Sequence, residues 1–136
     1  MGQERELAGQ LHAAGNSCAE AVVKACNISL NLGLSDDALR MASGLGGGIG
    51  GAGCVCGALN GAELILGVIA GRTEVAEKSK SEIYTLTKEF HTRFMEHFGS
   101  SCCRVLKGPE LKVSCDSLVE ETAGLVVAYI KEKALR

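Results

Sequence analysis

Apolar residues recur along this chain three and four positions apart and hardly ever in alternation, which predicts helices. A single proline, Pro109, and few β-branched alternations leave little room for strands. A first helix is expected over about Glu4–Ala13, with Leu7 and Leu11 on one face and Gly15-Asn16 ending it. Ser17-Cys18-Ala19-Glu20 has the form of a capping box, in which Ser17 caps and Glu20 reaches back. The second helix then runs to about Leu30, and Cys18, Val22 and Cys26 share one face of it. Ser35-Asp36-Asp37 opens a third helix that continues to about Gly44. The fourth, about Cys56–Ile69, is apolar nearly all round and should be central and most buried. Gly57 and Gly61 lie four apart on it, so a neighbouring helix can close in on that face.

Thr73 is expected to cap the fifth and longest helix, about Glu74–Phe98, whose apolar stripe reads Val75, Ser79, Ile83, Leu86, Phe90, Phe94 and Phe98. Gly99 stops it, Cys102–Leu106 reads as one short helical turn, and Gly108-Pro109 breaks that turn. Ser114–Asp116 opens the last helix, which reaches about Ala134 with Leu118, Thr122, Leu125 and Tyr129 inward. The pattern therefore predicts an all-α fold. It is a single domain over residues 1–136, built as a bundle of about five main helices with a Gly-rich loop.

That loop, Gly44–Gly61, changes the picture. A run so rich in glycine is a poor helix or strand interior and instead lets backbone turn sharply and approach something closely. Cys54 and Cys56 stand toward its end, where an apolar helix begins. Gly46, Gly48 and Gly51 match GxGxxG, but a dinucleotide fingerprint needs a preceding strand and a βαβ unit, and a helix is expected there instead. Charge adds exclusions. Fourteen basic against sixteen acidic side chains give a net charge of −2, with no basic stripe for a nucleic acid. Ala58–Ala70 is interrupted by Asn60 and Glu63 and is too short to span a bilayer. The polar N-terminus does not resemble a secretory signal, so a cytoplasmic location is expected.

Seven cysteines are many for this length, and in a reducing compartment they point to metal binding or thiol chemistry. Some can be plain small core residues. Four share a placement at or just before the start of an expected helix: Cys18, Cys56, Cys103 and Cys115. Helix dipoles and free amides lower thiol pKa, so four such placements suggest thiolates gathered at one end of a bundle. Paired CxxC zinc ribbons, the bacterial ferredoxin run, CxxCH haem attachment and the CxxC thioredoxin motif are all absent, whereas Cys54-Val55-Cys56 is CxC and Cys102-Cys103 is vicinal.

Four segments carry a resemblance. They are Gly15–Val22 with Cys18, Cys56-Gly57-Ala58-Leu59-Asn60-Gly61-Ala62, Cys103-Arg104-Val105-Leu106, and Cys115 before Leu118-Val119. In that order they resemble the redox-active family named for its C-GCAxxG-C-C signature, over about residues 11–125. One departure is that Cys56 precedes Gly57, whereas the signature has glycine before cysteine. The resemblance implies a helical domain whose motif cysteines are redox-active or bind a metal centre, such as an iron–sulfur cluster. By matching position these are Cys18, Cys56, Cys103 and Cys115. Cys26, Cys54 and Cys102 fall outside the motif, and Cys54 and Cys102 are candidate auxiliary ligands or resolving thiols.

Electron transfer or redox sensing through a four-cysteine site follows as the expected function. An iron–sulfur cluster ranks first, with Gly48, Gly50, Gly51, Gly53 and Gly57 wrapping the site and offering backbone N–H groups to sulfur. Thiol–disulfide cycling ranks second, through Cys54/Cys56 or Cys56/Cys103. A structural zinc cage ranks third, and a metal-free module binding a small ligand or partner last. A redox partner protein of unknown identity is implied, small helix faces also allow a homodimer, and no defined turnover follows, so enzyme status stays open. His91 and His97 are expected to be edge or interface residues, with a metal ligand or proton relay as the alternative, and His12 is equally uncommitted. Glu63 is expected to face solvent, pair with Arg40 or Arg104, or serve the site, and Arg104 to be a surface cation or a partner of thiolate charge.

Overall fold

Seven helices follow one another along residues 3–135, which the computed structural model describes: α1 Gln3–Ala13, α2 Cys18–Ser29, α3 Asp36–Arg40, α4 Gly57–Ala70, α5 Lys80–Phe98, α6 Cys103–Leu106 and α7 Cys115–Glu132. The fold is all-α. Two of the seven, α3 and α6, are short, and five long helices make the bundle. The only cross-strand pairing among the described residues is an isolated antiparallel bridge between Val55 and Cys102. No helix among them is long and apolar enough to cross a membrane.

Local chemistry sets the helix starts. The Ser17 hydroxyl accepts from the Glu20 N–H, and the Glu20 carboxylate accepts from the Ser17 N–H at 2.9 Å, closing the expected capping box of α2. Ser35 and Ser114 cap α3 and α7 through the hydroxyl alone, which accepts from the Ala38 and Ser117 N–H groups. Helix α3 stops at Arg40 rather than near Gly44, and residues 41–44 continue as turns.

The fifth helix begins six residues later than the apolar stripe suggests. Ser79 and Glu82 form its capping box, and Thr73 is no helix cap. Residues 71–79 are instead a tied turn. Glu77 accepts the N–H groups of Thr73 and Glu74, Arg72 donates to the carbonyls of Val75 and Lys78, and Lys78 donates to the Ala70 carbonyl. Val75 is accordingly exposed and not part of the stripe. Ser79, the cap itself, is exposed as well; Ile83 and Leu86 are half-buried, and Phe90, Phe94 and Phe98 are buried.

The core lies where α2, α4 and α7 meet, with α1 across α2 and α7 and α5 on the far side. Small residues make the close approaches. A Cβ on Gly61 would stand 2.8 Å from the Ala19 carbonyl and 3.2 Å from Val22 Cβ, so α2 is the neighbour that the small face of α4 admits. Tyr129 joins α7 to α5: its hydroxyl donates to the Leu86 carbonyl and meets the Glu89 carboxylate, both at 2.9 Å, and its ring lies 5.5 Å from Phe90. Outside this contact Arg93 makes a two-pronged ion pair with Glu132 at 2.6 and 2.7 Å. Helix α4 is central but not buried all round, since Gly67 and Val68 are exposed.

Candidate thiol site at the helix starts

Each motif thiol stands at the first turn of a helix: Cys18, Cys103 and Cys115 are first residues, and Cys56 is the N-cap of α4. Two backbone segments set the middle pair. The Cys56 N–H donates to the Ser101 carbonyl at 2.8 Å and the Cys103 N–H donates to the Cys54 carbonyl, on either side of the Val55–Cys102 bridge. The start of α4 is thereby stitched to the start of α6.

The glycine loop closes over this stitch by running left-handed. Gly47, Gly48, Ile49, Gly50 and Gly51 all have positive φ, as does Gly53. Long-range turns hold the coil: Gly50 N–H to Gly44 O, Gly53 N–H to Gly47 O and Cys54 N–H to Gly48 O, each at 3.0 Å. Ile49 is a β-branched residue at φ 72°, a conformation that only a tightly tied loop imposes.

Two glycines touch the thiols. A Cβ on Gly57 would lie 2.5 Å from Cys18 Sγ, and one on Gly48 would lie 2.8 Å from Cys103 Cβ and 2.5 Å from the Cys54 nitrogen. Gly53 packs under Arg104 and its carbonyl accepts from Cys102 Sγ at 3.2 Å. A Cβ on Gly50 or Gly51 would meet almost nothing, so neither presses on a motif cysteine in the way that Gly48 and Gly57 do. Both take part in the left-handed coil.

The motif thiols sense one another's charge. Cys56 interacts with Cys18 and Cys103, and Cys103 with Cys18, Cys115 and Cys102. Helix amides do act on Cys56, since hydrogen bonding from the N–H groups of Leu59 and Ala58 favours its thiolate. Burial outweighs them and pushes the thiol up to about 11, with the neighbouring sulfurs adding to the rise. Cys103 is also raised, first by burial, against a lowering by Lys107. The expected lowering by helix starts is therefore overturned at these two thiols: at Cys56 the favourable amides are present but burial outweighs them, and at Cys103 burial and nearby sulfur charge prevail.

Lys107 is the cation of the site. It hydrogen-bonds Cys115 and senses Cys103 and Cys18, which raises its own pKa. Lys107 was not among the expected site residues, although it stands four residues after Cys103, a spacing that places side chains together on a helical turn. Arg104 faces away from sulfur, donating to the Ala52 carbonyl at 3.0 Å, and so clamps the glycine loop.

Of the remaining thiols, Cys54 is exposed and Cys102 partly so, at the edge of the site. Cys26 is fully buried in the core, and burial pushes it up to about 12. His12 pairs with Asp116 at 2.8 Å, one residue beyond Cys115, and His97 pairs with Glu121 at 2.6 Å on the flank of Phe98. Glu63 meets neither expected cation, since Arg40 pairs with Asp37, and it does not face solvent freely: its Oε1 is buried with no partner. Among the described residues, no group of three or more His, Cys, Asp or Glu side chains is placed to hold a metal ion as the side chains stand.

An all-α bundle with helix-start thiols under a left-handed glycine coil defines a cysteine-site protein. The chain belongs to the family described as putative redox-active protein (C_GCAxxG_C_C), whose model matches residues 16–129. No curated protein and no solved structure matches the chain.

Proposed function

We propose that this is a redox protein in which Cys18, Cys56, Cys103 and Cys115 hold an iron–sulfur centre. One observation carries the reading: thiols from four separate helix starts share one electrostatic neighbourhood, in which burial and nearby sulfur charge disfavour the bare thiolates of Cys56 and Cys103. Such a set is unfavourable as free thiolates and becomes favourable beside a cation. The donor set is soft sulfur, the type that selects such centres. Gly48 and Gly57 support the fit, because each brings backbone closer to a motif cysteine than any side chain would allow. The thiols must turn toward a common point to ligate, since as placed they do not hold an ion. When bound, the centre supplies storage and passage of an electron.

The chain's own residues do the rest. The amides of Ala58 and Leu59 donate toward Cys56 and offset charge on its sulfur. Lys107 does the same for Cys115, and Cys18 and Cys56 are buried.

A second reading, thiol–disulfide cycling, is favoured by a different observation. Cys54 is exposed, and its carbonyl accepts from the N–H of Cys103, which puts two thiol-bearing residues across from each other on paired segments. Protein purified without oxygen separates the two. Visible absorption with iron and acid-labile sulfide, abolished in Cys56→Ser and retained in Cys26→Ala, supports the centre. Colourless metal-free protein with a reversible loss of two thiols supports cycling, and colourless zinc-loaded protein overturns both.

A further inference from the structure

Helices α2, α3 and α4 enclose a groove of about 310 Å³ on the outer side of the bundle, toward the C-terminal end of α4 and away from the cysteine site. We propose that this groove binds a small uncharged molecule with an apolar body and one carbonyl group, which accepts a hydrogen bond from the Glu63 carboxyl. The size falls at the lower end of the roughly 300–1,000 Å³ of small-molecule pockets. Val23, Leu34, Met41 and Val68 line the walls, and Glu63 is the only ionisable side chain among the lining residues. Met41 and Val68 are exposed at 70% and 51%, so the mouth is open and apolar.

The carboxyl identifies the ligand's polar group. Glu63 Oε1 is buried and has no hydrogen-bond partner. Burial pushes the group up to about 8, so it keeps its proton at neutral pH and presents an O–H donor. Oε2 is not closed off in this way and also has no protein partner, so it can carry the proton, and a ligand carbonyl in the apolar groove supplies the acceptor. An ammonium fits worse. It carries three donors into walls that offer one carboxyl, and its own loss of hydration opposes entry. Tyr129, whose charge interaction with Glu63 comes from α7, is already engaged by Leu86 and Glu89 and does not compete.

The full chain is titrated with 1-tetralone, with tetralin lacking the carbonyl, and with 2-aminotetralin, while NMR follows the methyl signals of Met41 and Val68. The expected result is shifts at both methyls and 1-tetralone binding at least about tenfold tighter than tetralin. In Glu63→Leu, whose fold is checked by its melting temperature, that preference falls to within about twofold. In Glu63→Gln, which retains an N–H donor, a preference survives. Equal binding of tetralone and tetralin to the native chain, tightest binding of the amine, or shifts elsewhere than at the groove overturns the proposal. So does the absence of saturable binding up to about 1 mM. Cys56→Ser leaves tetralone binding unchanged, so failure of the iron–sulfur reading and failure of this one are told apart.

Discussion

The two ends of α4 are built from the same kind of residue to opposite effect. At its start Gly57 is pressed between Cys18 Sγ and the Leu45 carbonyl, and no side chain fits. Near its other end Gly67 meets nothing within 4 Å, Val68 is exposed, and Glu63 leaves a buried oxygen unpaired. One end is closed backbone to backbone around sulfur, while the other is a loosely filled groove. Glycine content alone therefore says little; what a Cβ would strike says which glycines the site depends on.

The sharpest break of that comparison is at the closed end. Gly48→Ala sets a methyl 2.5 Å from the Cys54 nitrogen at a residue with φ 73°, where both sterics and backbone handedness oppose it. We expect a loss of about 3 kcal/mol or more in urea unfolding, with loss of any visible chromophore. Gly57→Ala is expected to cost nearly as much, about 2–4 kcal/mol, because the Leu45 carbonyl cannot step aside as a side chain would. Gly51→Ala is the control: φ 79° with open space, so about 1–2 kcal/mol of backbone strain and no effect on the thiols.

At the open end the signs reverse. Glu63 has a folded pKa of about 8 against an ordinary 4.5, so the folded state holds the proton more tightly. Stability is then greatest below about pH 4.5 and falls as pH rises toward 8, where the carboxyl ionises in the fold as well. Glu63→Gln removes that decline. Allowing for partial solvent access, it should gain on the order of 2–3 kcal/mol at pH 8.5 and little at pH 4, measured by denaturant unfolding at the two pH values. Gly67→Ala is expected to raise stability by about 0.5–1 kcal/mol, since it adds a better helix former in empty space. The smallest effect concerns reactivity: iodoacetamide should modify exposed Cys54 first and leave Cys26 unmodified until the chain unfolds.

Most of the helices were legible because their starts are written locally. Ser17 and Glu20, Ser35 and Ser114 do in space what their spacing announces. The start of α5 was not, because the apolar spacing continues through Val75, whereas Arg72, Glu77 and Lys78 tie that stretch into a turn through side-chain bonds that no periodicity reveals. The site was legible as a set of helix starts but not in its electrostatics. Helix amides are a local effect that sequence can place, whereas the burial that outweighs them at Cys56 comes from distant segments folding over it. Glu63 illustrates the same limit: its lack of a partner depends on Arg40 turning to Asp37 and Arg104 to the glycine loop.

The stitch between residues 54–56 and 101–103 has a consequence for how the chain must mature. Cys18 and Cys56 are made before Cys103 and Cys115 exist, so for part of synthesis two of the four motif thiols lack their partners. The backbone bonds across Val55 and Cys102 form only once the second half has emerged. Assembly of the sulfur group is thus a late, non-local event, and a nascent chain is at its most oxidisable just before it.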